Sequence, residues 1–144
     1  MGHRLGGWRR LSWPERLTFL LCSAGLASTH FSLALFGYKR TRRMVEAITR
    51  RARQHPATQD EINAARHLAN LAAIAGRHGA VAATCLRQSL LVYGWLRWRG
   101  LDPKLLLGVM STAVPFQAHA WVELEGQRLR GTDVDHIAFR ETNS

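Results

Sequence analysis

The chain has 144 residues, a length that fits one domain with its own core and excludes a pair of full-sized domains. Lys and Arg number 20 against 10 Asp and Glu, and the net charge of +10 favours an anionic partner such as a nucleic acid, a membrane surface or an acidic protein. The two cysteines, Cys22 and Cys85, exclude a disulfide framework, and a reduced, cytoplasmic protein is the simpler interpretation.

The first predicted element is an apolar helix. It begins at Ser12, because Ser12-Trp13-Pro14-Glu15 combines an N-cap, a first-turn proline and a capping-box acid. No charged side chain occurs in residues 17–38, a run long enough to span a bilayer. Its Ser, Thr and Gly residues weaken the case for insertion, so we expect a buried or groove-packed helix, with a membrane-associated helix and a signal peptide as alternatives. We expect Cys22 to pack there as a small hydrophobe.

A basic stretch from Lys39 to Gln54 follows the apolar run. Its cations suit a helix C-terminus, and the stretch is either a solvated helix face or an anion-docking patch. Residues 55–60 interrupt the pattern, and apolar residues at helical spacing predict a second helix over 61–77.

A third helix is predicted from Thr84 to Arg99, with Gly100 as its terminator. Cys85 therefore stands at a helix N-terminus. The apolar character of this helix indicates that it is central and packs on a sheet.

Strands follow the third helix. An apolar run predicts one strand over 105–110, and alternation predicts another over 116–124 that carries His119. Residues 125–126 are a hairpin signal, after which residues 127–133 are predicted to return as the partner strand. The face of the second strand that carries His119 also carries Trp121 and Glu123.

The order Cys85, His119, then an aspartate is one that an activated thiol nucleophile can use. A helix N-terminus and a nearby imidazole both stabilise a thiolate, and the imidazole accepts and returns the proton. A two-residue turn would direct Asp133 away from the face of His119, whereas a three-residue loop or a bulge at Gly131 would bring it onto that face. We favour Asp133 with a bulged hairpin, and Asp135, which has the same parity, remains the alternative.

The sequence gives little support for a metal site or a phosphate-binding site. The seven histidines and two cysteines show no zinc-ligand spacing, and no glycine-rich phosphate loop is present, so we predict neither a metal nor a cofactor. Whether a nucleotide is required stays open. A lone buried cysteine and a strand histidine are also compatible with purely structural roles.

Several motifs in order are similar to a known family. They are Cys85-Leu86-Arg87-Gln88-Ser89-Leu90, Arg99-Gly100-Leu101, Leu106-Leu107-Gly108-Val109, and Phe116-Gln117-Ala118-His119-Ala120-Trp121-Val122-Glu123 with Gly126. From about Ala80 to Asp135 the chain resembles the transglutaminase-like leader peptidases of lasso-peptide biosynthesis. The most specific segment is Ala-His-Ala-Trp-Val-Glu. Family members often carry an acidic residue closer to the turn, where this chain has Arg130-Gly131-Thr132, and this departure leaves Asp133 and Asp135 as competing candidates.

The resemblance implies an α+β fold of the papain/transglutaminase type, in which N-terminal helices and a central Cys-bearing helix pack on a small antiparallel sheet. Residues 1–144 would form a single domain with a helical part, 1–78, and a catalytic core, 79–144. Cys85 would be the nucleophile, His119 the base and Asp133 the orienting acid.

The implied reaction removes the leader from a ribosomally made precursor peptide. A chain of this length has no room for a fused leader-recognition domain, so we expect a separate leader-binding protein and a macrolactam-forming cyclase as partners. The expected location is the cytoplasm, with membrane association through residues 17–38 as a further option. The alternatives are a thiol-dependent acyl transferase and a non-enzymatic basic adaptor that binds nucleic acid or an acidic protein.

Overall fold

A computed structural model of the chain describes residues 12–50, 53–78, 84–110, 118–130 and 136–139. Within these residues the chain forms helices first and strands afterwards, which confirms the predicted α+β class. The helices are α1 (Trp13–Thr49), α2 (Gln59–His78) and α3 (Cys85–Trp98). The strands are β1 (Lys104–Met110), β2 (Ala118–Leu124), β3 (Gln127–Arg128) and β4 (His136–Phe139).

Helix α1 begins as predicted and extends further than its apolar run. The backbone N–H of Ser12 donates to the Glu15 carboxylate at 2.8 Å, which is half of the capping box. The cations after Tyr38 do not end the helix. Gly37, at φ 72, interrupts the helical backbone, and the chain then resumes the helix to Thr49.

The three helices share one core. Buried side chains of α1 (Phe19, Cys22 and Leu26) pack with those of α2 and α3. The second half of α1 is fixed to the C-terminal half of α3 by two hydrogen bonds. The Tyr93 hydroxyl donates to Glu46 at 3.1 Å, and Arg97 Nε donates to the Thr49 hydroxyl at 3.0 Å.

The strands form a four-stranded sheet in the order β3-β2-β1-β4. Strands β1 and β2 are antiparallel, with Leu107 opposite Ala120 and Gly108 opposite His119. Strand β4 pairs antiparallel with the other edge of β1, where Ala138 lies opposite Gly108. Strand β4 lies beyond the last strand predicted from the sequence, residues 127–133, and is therefore a strand that the prediction missed.

The hairpin between β2 and β3 has a two-residue turn. Leu124 lies opposite Gln127, and Glu125 and Gly126 have φ values of 49° and 72°, the positive values that a type I′ turn requires. The three-residue loop considered above is therefore wrong. Strand β3 ends at Arg128, so the strand predicted over 127–133 is also too long.

Candidate active site

Cys85 and His119, predicted from widely separated motifs, line one cleft. The cleft has a volume of about 250 Å³ and lies between α2, α3, β2 and the segment after β3. Its lining also includes Gln88 and Ser89 from α3 and Arg130 from beyond β3. The fold therefore places the candidate nucleophile and the candidate base at the same surface depression.

Cys85 is the first residue of α3, as predicted. Thr84 precedes it in an extended conformation, and the Gln88 N–H donates the helix's first bond to the Thr84 carbonyl at 3.1 Å. The amides of Cys85 and Leu86 come before that bond, so they lie among the N–H groups that have no partner within a helix. These N–H groups and the helix dipole favour negative charge at the Cys85 position, and no acidic residue in the first turn opposes it.

His119 is half-buried near the centre of β2. The residue opposite it on β1 is Gly108, which has no side chain to occupy the space beside the imidazole. The His119 and Trp121 rings stack at 6.1 Å between centroids with 21° between planes. The glycine thus leaves room for the imidazole, and the flanking indole limits the positions that it can adopt.

Ser89 joins the helix that carries the cysteine to the strand that carries the histidine. Its buried hydroxyl donates to the carbonyl oxygen of Ala120 at 3.0 Å. Ser89 lies one turn after Cys85, and Ala120 is the residue next to His119. The hydrogen bond therefore fixes the position of α3 on β2 directly beside the candidate catalytic pair.

Trp121 and Glu123 lie on the same strand face as His119, as the alternation predicted. The Trp121 Nε1–H donates to Glu123 Oε1 at 2.9 Å, and the Arg128 guanidinium lies 4.5 Å from the centre of the Trp121 ring. Glu123 and Arg128 are opposite each other in the β2–β3 pairing. The Glu123 carboxylate therefore helps to hold Trp121 in place.

The predicted third member of the site lies outside the described residues. This applies to both Asp133 and Asp135, so the choice between them remains a prediction. Of the residues that the structure describes, none that lines the cleft is acidic, and Arg130 contributes positive charge.

Cys22 differs from Cys85 in every respect that matters for reactivity. It is fully buried in the core, and burial raises the pKa of its thiol to about 11. Cys85 is partly exposed and opens onto the cleft. The interpretation of Cys22 as a small hydrophobe is confirmed.

The basic stretch after Gly37 does not belong to the cleft. Its described residues pack near Tyr93 and Arg97, which are eight and twelve positions beyond Cys85, or about 12 and 18 Å along the helix axis. Lys39, Arg40 and Arg43 are exposed, as expected of a solvated helix face. In the described part of the chain, no group of three or more His, Cys, Asp or Glu is arranged to hold a metal ion.

Three polar residues of the cleft had no role assigned to them from the sequence. Gln88 and Ser89 follow Cys85 by three and four positions, a spacing that places them on its helix face, so the helical period alone could have identified them. Arg130 had no such signal, because its position depends on where β3 ends.

Comparison with protein families identifies one match. The model of the transglutaminase-like superfamily matches residues 25–144, a range that includes Cys85, His119 and every described strand. Comparisons with curated proteins and with solved structures gave no significant match.

Proposed function

The chain belongs to the transglutaminase-like superfamily, and we propose that it is a cysteine peptidase that removes the leader from a ribosomally made lasso-peptide precursor. One observation carries the enzymatic part of this proposal: Cys85 at a helix N-terminus and His119 on a strand line the same cleft. The superfamily includes cysteine peptidases and acyl transferases, and the resemblance of the Ala-His-Ala-Trp-Val-Glu segment supports the narrower assignment.

The thiol, the imidazole and the amides at the start of α3 each have a role in peptide hydrolysis. His119 takes the thiol proton, and the Cys85 sulfur attacks the scissile carbonyl carbon to form a tetrahedral intermediate. The amides at the start of α3 stabilise the oxyanion. The C–N bond then breaks, and His119 donates the proton to the departing amine, which leaves a thioester on Cys85.

Water completes the reaction. It attacks the thioester while His119 accepts its proton, the C–S bond breaks, and the leader leaves with a new carboxylate. Asp133, with Asp135 as the alternative, would orient the imidazole through a hydrogen bond to its second nitrogen. No step requires a metal or an organic cofactor, and dependence on a nucleotide can be checked by adding ATP to the assay.

The proposal includes two partners. A separate leader-binding protein captures the precursor and brings its cleavage site to the open cleft, and a cyclase uses the amine that cleavage releases. The support for a separate leader-binding protein is the chain's resemblance to family members that lack a fused recognition domain. We expect weak cleavage by the chain alone and specific cleavage once the leader-binding protein is added.

The test is mass spectrometry of the precursor peptide encoded beside the gene, incubated with the chain and its leader-binding partner. Cys85→Ala is expected to abolish cleavage, whereas Cys22→Ala, the matched cysteine control, is expected to retain it. Cleavage by Cys85→Ala at the wild-type rate would contradict the enzymatic assignment. Equal rates with and without the partner would contradict the split system, and a product amide in place of the carboxylate would indicate acyl transfer.

A further inference from the structure

The first part of α1 is apolar on both sides. Its exposed side includes Trp13, Leu17, Leu20, Phe31 and Leu35, whose spacings correspond to one face of a helix. These side chains are between 53% and 82% exposed. Large contiguous apolar patches are rare on soluble monomers and mark surfaces that bind something.

The core of the domain does not require this exposed face. Phe19, Cys22 and Leu26 are already buried from the opposite side of the helix, against α2 and α3. In the most apolar 18-residue window of α1, the mean hydropathy is 1.6 and only 17% of the residues are buried. The inner apolar side of α1 therefore accounts for the packing of the domain, and the outer apolar side is available to bind another surface.

The charges on α1 indicate what kind of partner surface suits its exposed face. Between residues 17 and 38 there is no charged side chain, and Lys39, Arg40 and Arg43 are exposed immediately beyond Gly37. Both acidic residues of α1 have internal partners: Glu15 accepts from Ser12, and Glu46 accepts from Arg42 and Tyr93. The outer surface is thus apolar and uncharged along its length and cationic at its end.

We infer that the exposed face of α1 binds the surface of an anionic membrane. An apolar helix face flanked by exposed cations is the pattern of interfacial helices, whose apolar side enters the acyl boundary while the cations contact anionic headgroups. Trp13 at the beginning of the helix suits the headgroup level, where amphipathic rings concentrate.

The helix lies along the membrane rather than across it. Its length and composition would allow it to cross a bilayer. However, its inner side packs against α2 and α3, and insertion across the bilayer would remove Cys22 and Leu26 from the core that they occupy. Of the described residues, none in α1 lines the cleft, so membrane binding leaves Cys85 accessible and does not depend on the proposed peptidase activity.

The test is co-sedimentation of the full chain with vesicles of phosphatidylcholine, alone or with about 30% phosphatidylglycerol. We expect binding to the anionic vesicles that weakens as salt is added, because exposed charges are screened. Phe31→Glu is expected to reduce binding about 10-fold or more, since it places an anion in the apolar face. Trp98→Glu is the matched control, because Trp98 is 67% exposed on α3, outside that face, against 62% for Phe31.

Three outcomes would overturn the inference. They are no sedimentation with anionic vesicles, equal binding to both vesicle types, and equal binding by wild type and Phe31→Glu with both variants shown to be folded by circular dichroism. Light scattering of the same proteins without vesicles tests whether a second copy of the chain covers this face instead. A dimer that Phe31→Glu dissociates, together with no vesicle binding, would assign the face to a second copy of the chain.

Discussion

Ser89→Ala is expected to reduce catalysis more than it reduces stability. The substitution removes a hydroxyl that donates to the Ala120 carbonyl at 3.0 Å. The net contribution of such a bond to the free energy of unfolding is about 0.5–1.5 kcal/mol, which corresponds to a fall in Tm of about 2–5 °C for a domain of this size.

The expected effect on the catalytic rate is larger than the effect on stability, because the bond lies beside the candidate catalytic pair. Ser89 is about 6 Å along the helix axis from Cys85, and its acceptor is adjacent to His119. Misplacement of reacting groups by about 1 Å can reduce a rate about 100-fold. We therefore expect kcat to fall about 10- to 100-fold with KM nearly unchanged, because the bond orients the catalytic pair rather than the substrate.

Two assays measure this effect. Precursor cleavage in the presence of the proposed leader-binding partner gives kcat and KM, and alkylation by iodoacetamide near neutral pH reports the thiolate of Cys85 without any substrate. Ser89→Thr, which keeps the hydroxyl, is expected to recover part of the loss. The matched control is Ser23→Ala, which removes a hydroxyl that donates to Phe19 at 2.9 Å within α1.

The reasoning is refuted if Ser89→Ala lowers Tm but leaves both kcat and the alkylation rate at wild-type values. Ser89 would then stabilise the fold without positioning the catalytic pair.

The remaining predictions concern the core. Leu26→Ala, at a position that is 2% exposed, is expected to lower the free energy of unfolding in urea by about 2–5 kcal/mol. Leu35→Ala, at 73% exposed, should change it by less than about 0.5 kcal/mol, and similar losses at both sites would contradict the packing of α1 described here. Burial raises the pKa of Cys22 from 9.0 to about 11, so its stabilising contribution is complete below pH 9 and lost as pH rises toward 11, where the unfolded thiol is already ionised. The difference between wild type and Cys22→Ala in the free energy of unfolding, measured in urea, should therefore narrow as pH rises from 9 to 11, and a constant difference would contradict the burial of this thiol.

Local chemistry explains what the sequence could predict. The capping box at Ser12, the thiol at the beginning of α3 and the alternation around His119 each depend on residues a few positions apart. Such short-range patterns also identified the two-residue turn at Glu125 and Gly126 as one of the possible hairpin registers.

Long-range pairing explains what was missed. Strand β4 has only four residues, and its partner on β1 lies about thirty positions earlier in the chain. A pairing over this distance has no local turn sequence from which it could be predicted. The bond from Ser89 to Ala120 joins residues 31 apart and follows only from how α3 packs on β2. The end of β3 at Arg128 was missed for the same reason, and the choice between Asp133 and Asp135, which lie outside the described residues, remains a prediction.

The central claim, that His119 activates the Cys85 thiol, is tested most directly by the rate of alkylation at one fixed pH near neutrality. Cys22 is fully buried, so iodoacetamide consumption by the folded chain reports Cys85. Wild type is expected to react faster than His119→Ala, because the imidazole takes the thiol proton and leaves the more nucleophilic thiolate. Equal alkylation rates for the two proteins, with both shown to be folded, would contradict the account.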